Sequence, residues 1–224
     1  MPHLSRPCLR AFSLAVFSVF LAVPVSGFAA DAPATSVHEQ AVQTPVGKFV
    51  QDVGDRAIKI IADKKLSTEQ RNSAFSKVLT DSFDLKTIGR FVIGRTWNAA
   101  TPDQQSEYMS LFKALVIKNY GDRMTLAAGE NFQVVGTRPE SDVDTTVLSQ
   151  ITHSDGSKAT TIDWRVRQQD GKMGVIDVIV EGISLSVTQR QEYASVVQNS
   201  GGQIDGLLDT MRNQLKGTTV STAQ

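Results

Sequence analysis

Residues 160–180 read TTIDWRVRQQDGKMGVIDVIV and predict two β-strands joined by a tight turn. In the first strand apolar and polar residues alternate with a period of two, which is typical of a half-buried strand. The alternation places Thr160, Ile162, Trp164 and Val166 on one face and Asp163, Arg165 and Arg167 on the other. Asp170-Gly171 is a two-residue hairpin turn. Residues 175–180 are almost continuously apolar, which predicts a second strand buried on both faces.

Two more strands precede this hairpin, and helices lie on either side of the strands. Residues 132–138 and 143–151 alternate in the same way, and the His-Ser-Asp-Gly run at 153–156 is a hairpin turn. Helical spacing of apolar residues predicts helices at about 46–65, 67–79, 85–93, 102–126, 187–198 and 204–215. The second helix begins with a Ser67/Gln70 capping box, and Thr101, Pro102 and Gln104 mark the start of the fourth. The order predicts an α+β domain in which helices cover one side of a curved antiparallel sheet of about four strands.

The N-terminus has the pattern of a secretory signal peptide. Arg6 and Arg10 precede an apolar run at 11–25, and small residues follow up to Ala30. The alternative is an uncleaved anchor, but the run is shorter than the ~20 residues of a membrane-spanning helix. We therefore expect an exported chain with a signal peptide at 1–30, a flexible lead-in at 31–44, one α+β domain at 45–216 and a disordered tail at 217–224.

Composition and motifs argue against nucleic-acid binding, metal binding and catalysis. The chain has 23 basic and 23 acidic residues and 7% aromatic residues, so it lacks the basic excess and the stacking surface that nucleic-acid binding needs. The only cysteine, Cys8, lies in the leader, which excludes a disulfide or a cysteine metal site after cleavage. His38 falls in the lead-in and His153 in a hairpin turn, where a solvated polar residue is the ordinary explanation. We expect no metal, no cofactor and no catalytic residue.

Two features resemble catalytic sites, and we interpret both as structural. Residues 182–186 read GISLS, which lacks the second glycine of a nucleophile elbow and fits a tight exit from the last strand. Asp177 interrupts an apolar strand, so it should be partly buried and paired. An ion pair with Arg165 or Arg190 is favoured over a role as general base. What remains is a set of helices laid over a sheet, a geometry that can enclose an apolar cavity.

Several segments resemble the MlaC/toluene-tolerance family of periplasmic phospholipid-binding proteins. Residues 90–97 read RFVIGRTW and continue into ATPDQQ at 100–105, where the family has an Arg-x-x-Leu-Gly-Arg-Tyr-Trp run followed by Ala-Thr-Pro-Glu-Gln. The other matching segments are Leu111-Phe112-Lys113 with Tyr120, residues 171–185, Gln189-Arg190 with Tyr193, Gly201-Gly202 and Leu207-Leu208. Thr96 stands where the family usually has Tyr, and Met173 and Ile176 stand where Trp and Tyr are common. These departures leave the identity of the lipid open. The chain could also belong to a related branch of the family that is associated with hopanoid-producing bacteria.

The resemblance implies an NTF2-like sheet with a deep apolar pocket, and a non-enzymatic periplasmic carrier of phospholipid or a related lipid. It also implies shuttling between an outer-membrane lipoprotein complex and an inner-membrane ABC transporter with an MCE-domain subunit, in support of outer-membrane lipid asymmetry. We expect a monomer. The alternatives are an exported NTF2-like enzyme acting on a small apolar substrate, a carrier of hopanoid-type lipids, and an adaptor subunit with a filled core.

Candidate pocket residues come from the apolar helix faces and the concave face of the sheet. They are Phe75, Val78, Leu79, Phe83, Phe91, Leu111, Leu115, Val147, Ile151, Ile162, Trp164, Val166 and Val175. For each of them the alternative is an ordinary core position. Arg90, Arg95 and Tyr120 are candidates for the pocket rim, where they could meet a polar or phosphate head group. Surface ion pairing or helix capping is the alternative for the two arginines.

Overall fold

The protein is described by a computed structural model over residues 41–121, 130–153 and 155–217. The predicted signal peptide, His38 and residues 218–224 lie outside the described residues. The helices are α1 (Pro45–Ala62), α2 (Thr68–Ser82), α3 (Leu85–Ile93), α4 (Thr96–Ala99), α5 (Pro102–Gly121), α6 (Leu185–Asn199) and α7 (Ile204–Leu215). The strands are β1 (Asn131–Pro139), β2 (Asp144–Thr152), β3 (Thr160–Gln169), β4 (Lys172–Val180) and β5 (Ile183–Ser184). None of the helices in these ranges is both long and apolar enough to cross a membrane.

Two of the predicted helix starts, those of α2 and α5, are confirmed by the hydrogen bonds at their caps. At α2 the Gln70 backbone N–H donates to Ser67 Oγ over 3.2 Å, and the Ser67 N–H donates to Gln70 Oε1 over 2.8 Å. The Thr101 side chain does the same for α5, accepting from the Gln104 N–H over 3.3 Å. These side chains satisfy N–H groups that no helical carbonyl can reach, so the starting positions follow from local chemistry.

The five strands form one antiparallel sheet in the order β1-β2-β3-β4-β5. Asp170 and Gly171 join β3 to β4 with φ values of 52° and 70°, the left-handed backbone of a two-residue hairpin. Glu181 and Gly182 make a second turn of this kind, with φ values of 48° and 81°, and lead into β5. The sequence prediction of about four strands therefore falls one short, because the exit after β4 doubles back and pairs Ile183 with Val180.

The expectation that residues 175–180 are buried on both faces is wrong. Val175 and Asp177 are buried, whereas Ile176 and residues 178–180 are only half-buried. The β3–β4 register shifts at this point, so that Arg165 lies opposite Asp177 while Val166 lies opposite Val175. The strand therefore changes its alternation at the bulge, and beyond it Val178 and Val180 border a cavity rather than a filled core.

The interior contains two separate groups of buried side chains. A helical cluster joins α3, α5, α6 and α7 around Tyr108, Leu207 and Met211. Burial raises the pKa of Tyr108, and its protonated hydroxyl donates to the Gly89 carbonyl over 2.9 Å. A sheet cluster joins α1 to β1–β4, and in it Val50 is fully buried. The two clusters leave room between them for the cavity described next.

Candidate functional site

A cavity of about 310 Å³, partly open to solvent, lies between α1, α2, α3 and α5 on one side and β3, β4 and the start of α6 on the other. Its volume is at the lower end of the roughly 300–1,000 Å³ typical of small-molecule pockets. Its lining residues are Val53, Ala57, Phe75, Val78, Leu79, Phe83, Leu85, Ile88, Val92, Phe112, Val116, Ile162, Trp164, Asp177, Val178, Val180, Leu185, Ser186 and Gln189. All of them are apolar except Asp177, Ser186 and Gln189.

The periodicity of each element explains how it presents apolar side chains to this cavity. On three helices the lining residues are four positions apart, the spacing that keeps side chains on one helix face. These pairs are Val53 and Ala57 on α1, Ile88 and Val92 on α3, and Phe112 and Val116 on α5. On the strands the spacing is two, as in Ile162 and Trp164 on β3 and Val178 and Val180 on β4. The site is therefore built by regular elements rather than by loops.

The cavity separates the helical cluster from the sheet cluster. Val92 and Phe112 line it and belong to the helical cluster. Phe83, Trp164 and Val178 line it from the other side, where they pack against the sheet cluster. A hydrocarbon in this space would touch both clusters at once.

Trp164 is the largest side chain on the sheet side of the cavity, and three neighbours hold it in place. Its indole Nε1–H donates to Ser149 Oγ over 2.9 Å, and the Ser149 hydroxyl in turn donates to the Ile162 carbonyl over 2.6 Å. The ring makes edge contacts with Phe83 and Phe132 at centroid distances of 6.2 and 5.9 Å. With its polar atom satisfied behind the cavity wall, the indole can present apolar surface to a ligand.

Asp177 forms the most polar part of the lining, and its partners differ from the predicted ones. Its carboxylate accepts from the Ser184 hydroxyl over 2.7 Å and from the Ser186 backbone N–H over 3.1 Å. The predicted ion pair with Arg165 or Arg190 is not among the salt bridges of the described residues. The reason is that α6 begins at Leu185, two residues before its predicted start, so the Ser186 N–H of its first turn reaches the carboxylate.

The GISLS segment has a structural role, as expected from the sequence. Ser184 is the N-cap of α6, and its Oγ accepts from the Val187 N–H over 3.1 Å while donating to Asp177. His153 is held by Glu130, whose Oε2 lies 2.5 Å from Nδ1, and by Thr160, whose Oγ1 lies 3.0 Å from Nε2. It is thus three-quarters buried rather than freely solvated, with a side-chain exposure of 25%. Within the described ranges no group of three or more His, Cys, Asp or Glu residues could hold a metal ion.

The predicted pocket residues divide into three groups in the structure. Six line the cavity: Phe75, Val78, Leu79, Phe83, Ile162 and Trp164. Six others belong to the clusters or pack against them: Leu111 and Leu115 in the helical cluster, and Val147, Ile151, Val166 and Val175 in the sheet cluster. Phe91 lines neither and is 43% exposed. Apolar periodicity identifies the inward face of an element, but it does not show whether two inward faces pack together or leave a cavity between them.

The predicted rim residues do not border the cavity as far as they are described. Arg90 is exposed, and its guanidinium lies over the Trp97 ring at 5.2 Å from the centroid. Arg95 is exposed beside the start of α4. The side chain of Tyr120 lies outside the described residues. A contact of these residues with a head group stays a prediction.

Sequence reasoning missed the lining residues on α1, α3 and α5 and those at the end of β4. The signal was present in the four-residue spacing of Val53 and Ala57, and of Ile88 and Val92. It was not decisive, because the same spacing also describes ordinary core positions.

Comparisons with known proteins agree on one family. The sequence model of the family described as MlaC protein matches residues 51–213. The toluene tolerance protein ttg2D of Pseudomonas putida is 21% identical over 159 residues, which cover 67% of this chain and 74% of that protein. Among solved structures, a phospholipid-binding protein from Ralstonia solanacearum in complex with a phospholipid has a TM-score of 0.68 at 22% identity. The match covers 76% of this chain and 97% of the Ralstonia chain, so the two share a fold.

Proposed function

The chain belongs to the MlaC family, and from that premise we propose that it is a periplasmic carrier that holds lipid acyl chains in the cavity. The observation that carries this proposal is the cavity of about 310 Å³, with a lining that is apolar except at Asp177, Ser186 and Gln189. The Ralstonia protein of the same fold is described as bound to a phospholipid, which supports phospholipid or a related lipid as the cargo.

A carrier of this kind follows from the energetics of hydrocarbon in water. Each methylene removed from water is worth ~0.8 kcal/mol, so two acyl chains of ordinary length represent ~20 kcal/mol or more. This barrier prevents a free lipid from crossing an aqueous compartment at a useful rate. An acyl chain that moves from a bilayer into an apolar cavity stays out of water. The free-energy change of loading and of release can therefore both be small.

The wider role we propose is shuttling between an outer-membrane lipoprotein complex and an inner-membrane ABC transporter with an MCE-domain subunit. Such traffic would maintain the lipid asymmetry of the outer membrane. The leader pattern at 1–30 supports export, and residues 45–216 would form the single lipid-binding domain and act as a monomer. Phe75, Val78, Leu79, Phe83, Ile162 and Trp164 are the proposed acyl-chain contacts among the residues singled out from the sequence.

We propose a binding role rather than an enzymatic one, because the polar atoms at the cavity are engaged in structural bonds. Both Asp177 oxygens accept hydrogen bonds at the start of α6. These two bonds hold the start of α6, which is a structural role for this carboxylate.

The proposal is tested by identifying lipid that copurifies with the mature chain. Native mass spectrometry after gentle purification should show protein with bound lipid, and extraction should identify it as phospholipid or as a hopanoid-type lipid. Ala57→Phe places a large side chain in the cavity and should reduce bound lipid severely. Ala194→Phe makes the same change at an exposed position of α6 and should leave bound lipid unchanged. Protein that is always empty, or equal loss in both variants, would contradict the proposal.

A further inference from the structure

The outer surface of α3 and α4 carries an excess of positive charge. Residues 85–100 include Lys86, Arg90 and Arg95 and contain no Asp or Glu, although the whole chain has a net charge of zero. All three side chains are exposed. None of the three takes part in an ion pair of the described residues. Three positive charges are therefore available to a partner.

A fourth cation and an exposed aromatic ring complete this surface. Arg190 reaches across from α6, donates from Nη1 to the Phe91 carbonyl over 2.5 Å and places its guanidinium 4.9 Å from the centre of the Phe91 ring. Phe91 remains 43% exposed. We call Lys86, Arg90, Phe91, Arg95 and Arg190 the basic patch. A ring left exposed among cations combines an apolar group with charges that match anions.

The basic patch lies directly outside the cavity wall. Its helix, α3, turns Leu85, Ile88 and Val92 toward the cavity and Lys86, Arg90 and Phe91 toward solvent. A surface that contacts the basic patch is therefore one helix diameter away from the cavity.

We propose that the basic patch docks this protein on an anionic lipid surface. Guanidinium groups pair with phosphate oxygens through parallel N–H donors, and lysine adds a further positive charge. Phe91 is an exposed aromatic ring in contact with the Arg190 guanidinium, which suits insertion at the boundary between head groups and acyl chains. A protein interface is typically depleted of charged residues at its centre, whereas here four cations surround Phe91. The proposal concerns docking and does not depend on which lipid occupies the cavity.

The experiment is flotation of the mature chain with vesicles of two compositions. Vesicles of phosphatidylcholine alone should bind little protein, whereas vesicles with about 30% phosphatidylglycerol should bind it because each nearby cation gains from the negative surface. Binding should weaken as the salt concentration rises, since salt screens exposed charges. A failure to bind the anionic vesicles at low salt overturns the proposal.

Charge-reversal variants test whether the basic patch is responsible. Lys86→Glu combined with Arg95→Glu changes two side chains that make no hydrogen bond or ion pair with the described residues, and it should weaken vesicle binding at least about tenfold. The matched control, Lys48→Glu with Lys172→Glu, makes the same charge change at exposed positions outside residues 85–100 and should retain binding. Equal loss in both pairs would indicate a response to net charge alone and would overturn the proposal.

A third variant tests the aromatic part of the patch. Phe91→Ser should weaken binding while leaving its dependence on salt unchanged, because it removes an apolar contact and no charge. Unchanged binding would remove Phe91 from the docking surface. Circular dichroism and thermal unfolding of each variant exclude loss of the fold. Inorganic phosphate should release the protein better than chloride of equal ionic strength, because phosphate competes with lipid head groups for the guanidinium groups.

Discussion

Gly54→Ala is the substitution for which the structure predicts the most definite loss of stability. Gly54 lies on α1 where this helix crosses β1, and a Cβ built there would be 2.2 Å from both Cδ1 and Cε1 of Phe132. Non-bonded carbon atoms prefer about 3.5–4.0 Å, so the ring or the helix must move by more than an ångström. Phe132 is 7% exposed and belongs to the sheet cluster, so the ring has little room to yield.

The expected magnitude follows from two opposing effects. Overpacking of a filled core costs about 1–3 kcal/mol. Alanine returns up to about 1 kcal/mol because it is a better helix former than glycine. The free energy of unfolding should therefore fall by about 1–2 kcal/mol, measured by urea denaturation of the mature chain. Because α1 also carries Val53 and Ala57, the displaced helix should change lipid binding as well.

A double-mutant cycle separates this clash from other effects of the alanine. Phe132→Leu removes the ring atoms that the new methyl group would meet, so Gly54→Ala should cost much less in that background. The same cost in both backgrounds, or a gain in stability from Gly54→Ala alone, would show that the close contact between helix and strand is not what requires glycine here.

Three further changes are expected to alter stability. Ser149→Ala should lower the free energy of unfolding by about 1–3 kcal/mol in urea denaturation, because it leaves the Trp164 indole N–H without its partner; the loss should shrink when Trp164 is already Phe. The bond from Arg167 holds the pKa of Asp144 below its ordinary value of 3.8, so the pair stabilises the protein above about pH 4, and this contribution is lost as the pH falls through the lowered pKa. Asp144→Asn should therefore flatten the acid side of a plot of stability against pH, and an unchanged slope would contradict that assignment. Asp177→Ala should cost about 1–3 kcal/mol in the same denaturation assay by leaving hydrogen-bond donors at the start of α6 unpaired, and an unaltered midpoint would show that the carboxylate does not hold this helix.

The sequence predicted best those features that depend on a few neighbouring residues. The Ser67/Gln70 box depends on two side chains three residues apart and the Asp170-Gly171 turn on a local backbone preference, and both appear where expected. The turn before β5 was harder to predict from the sequence, because Glu181 adopts a positive φ that few residues other than glycine favour. Only Gly182 hinted at the turn, and a single glycine does not distinguish a hairpin from an exit.

The candidate site was predictable only in part, because a cavity is a relation between distant surfaces. Ile162 and Val166 lie on the same strand with the same apolar character, yet Ile162 borders the cavity and Val166 is core. The difference comes from the β3–β4 bulge and from the opposing helices, and neither can be predicted from the sequence of the strand alone. Asp177 shows the same limit, since its partners are the Ser184 hydroxyl and the Ser186 backbone N–H rather than a charged side chain that sequence could suggest.

The division of the interior into a helical and a sheet cluster has a consequence for how the folded chain responds to its surroundings. A guest molecule between the clusters would act as a third layer of the core, and a guest that binds only the native state raises the melting temperature with its own concentration. Samples stripped by detergent and samples taken gently from cells should then melt as two distinct species. The difference between their melting temperatures in calorimetry would measure how much of the stability of the folded protein comes from the bound guest.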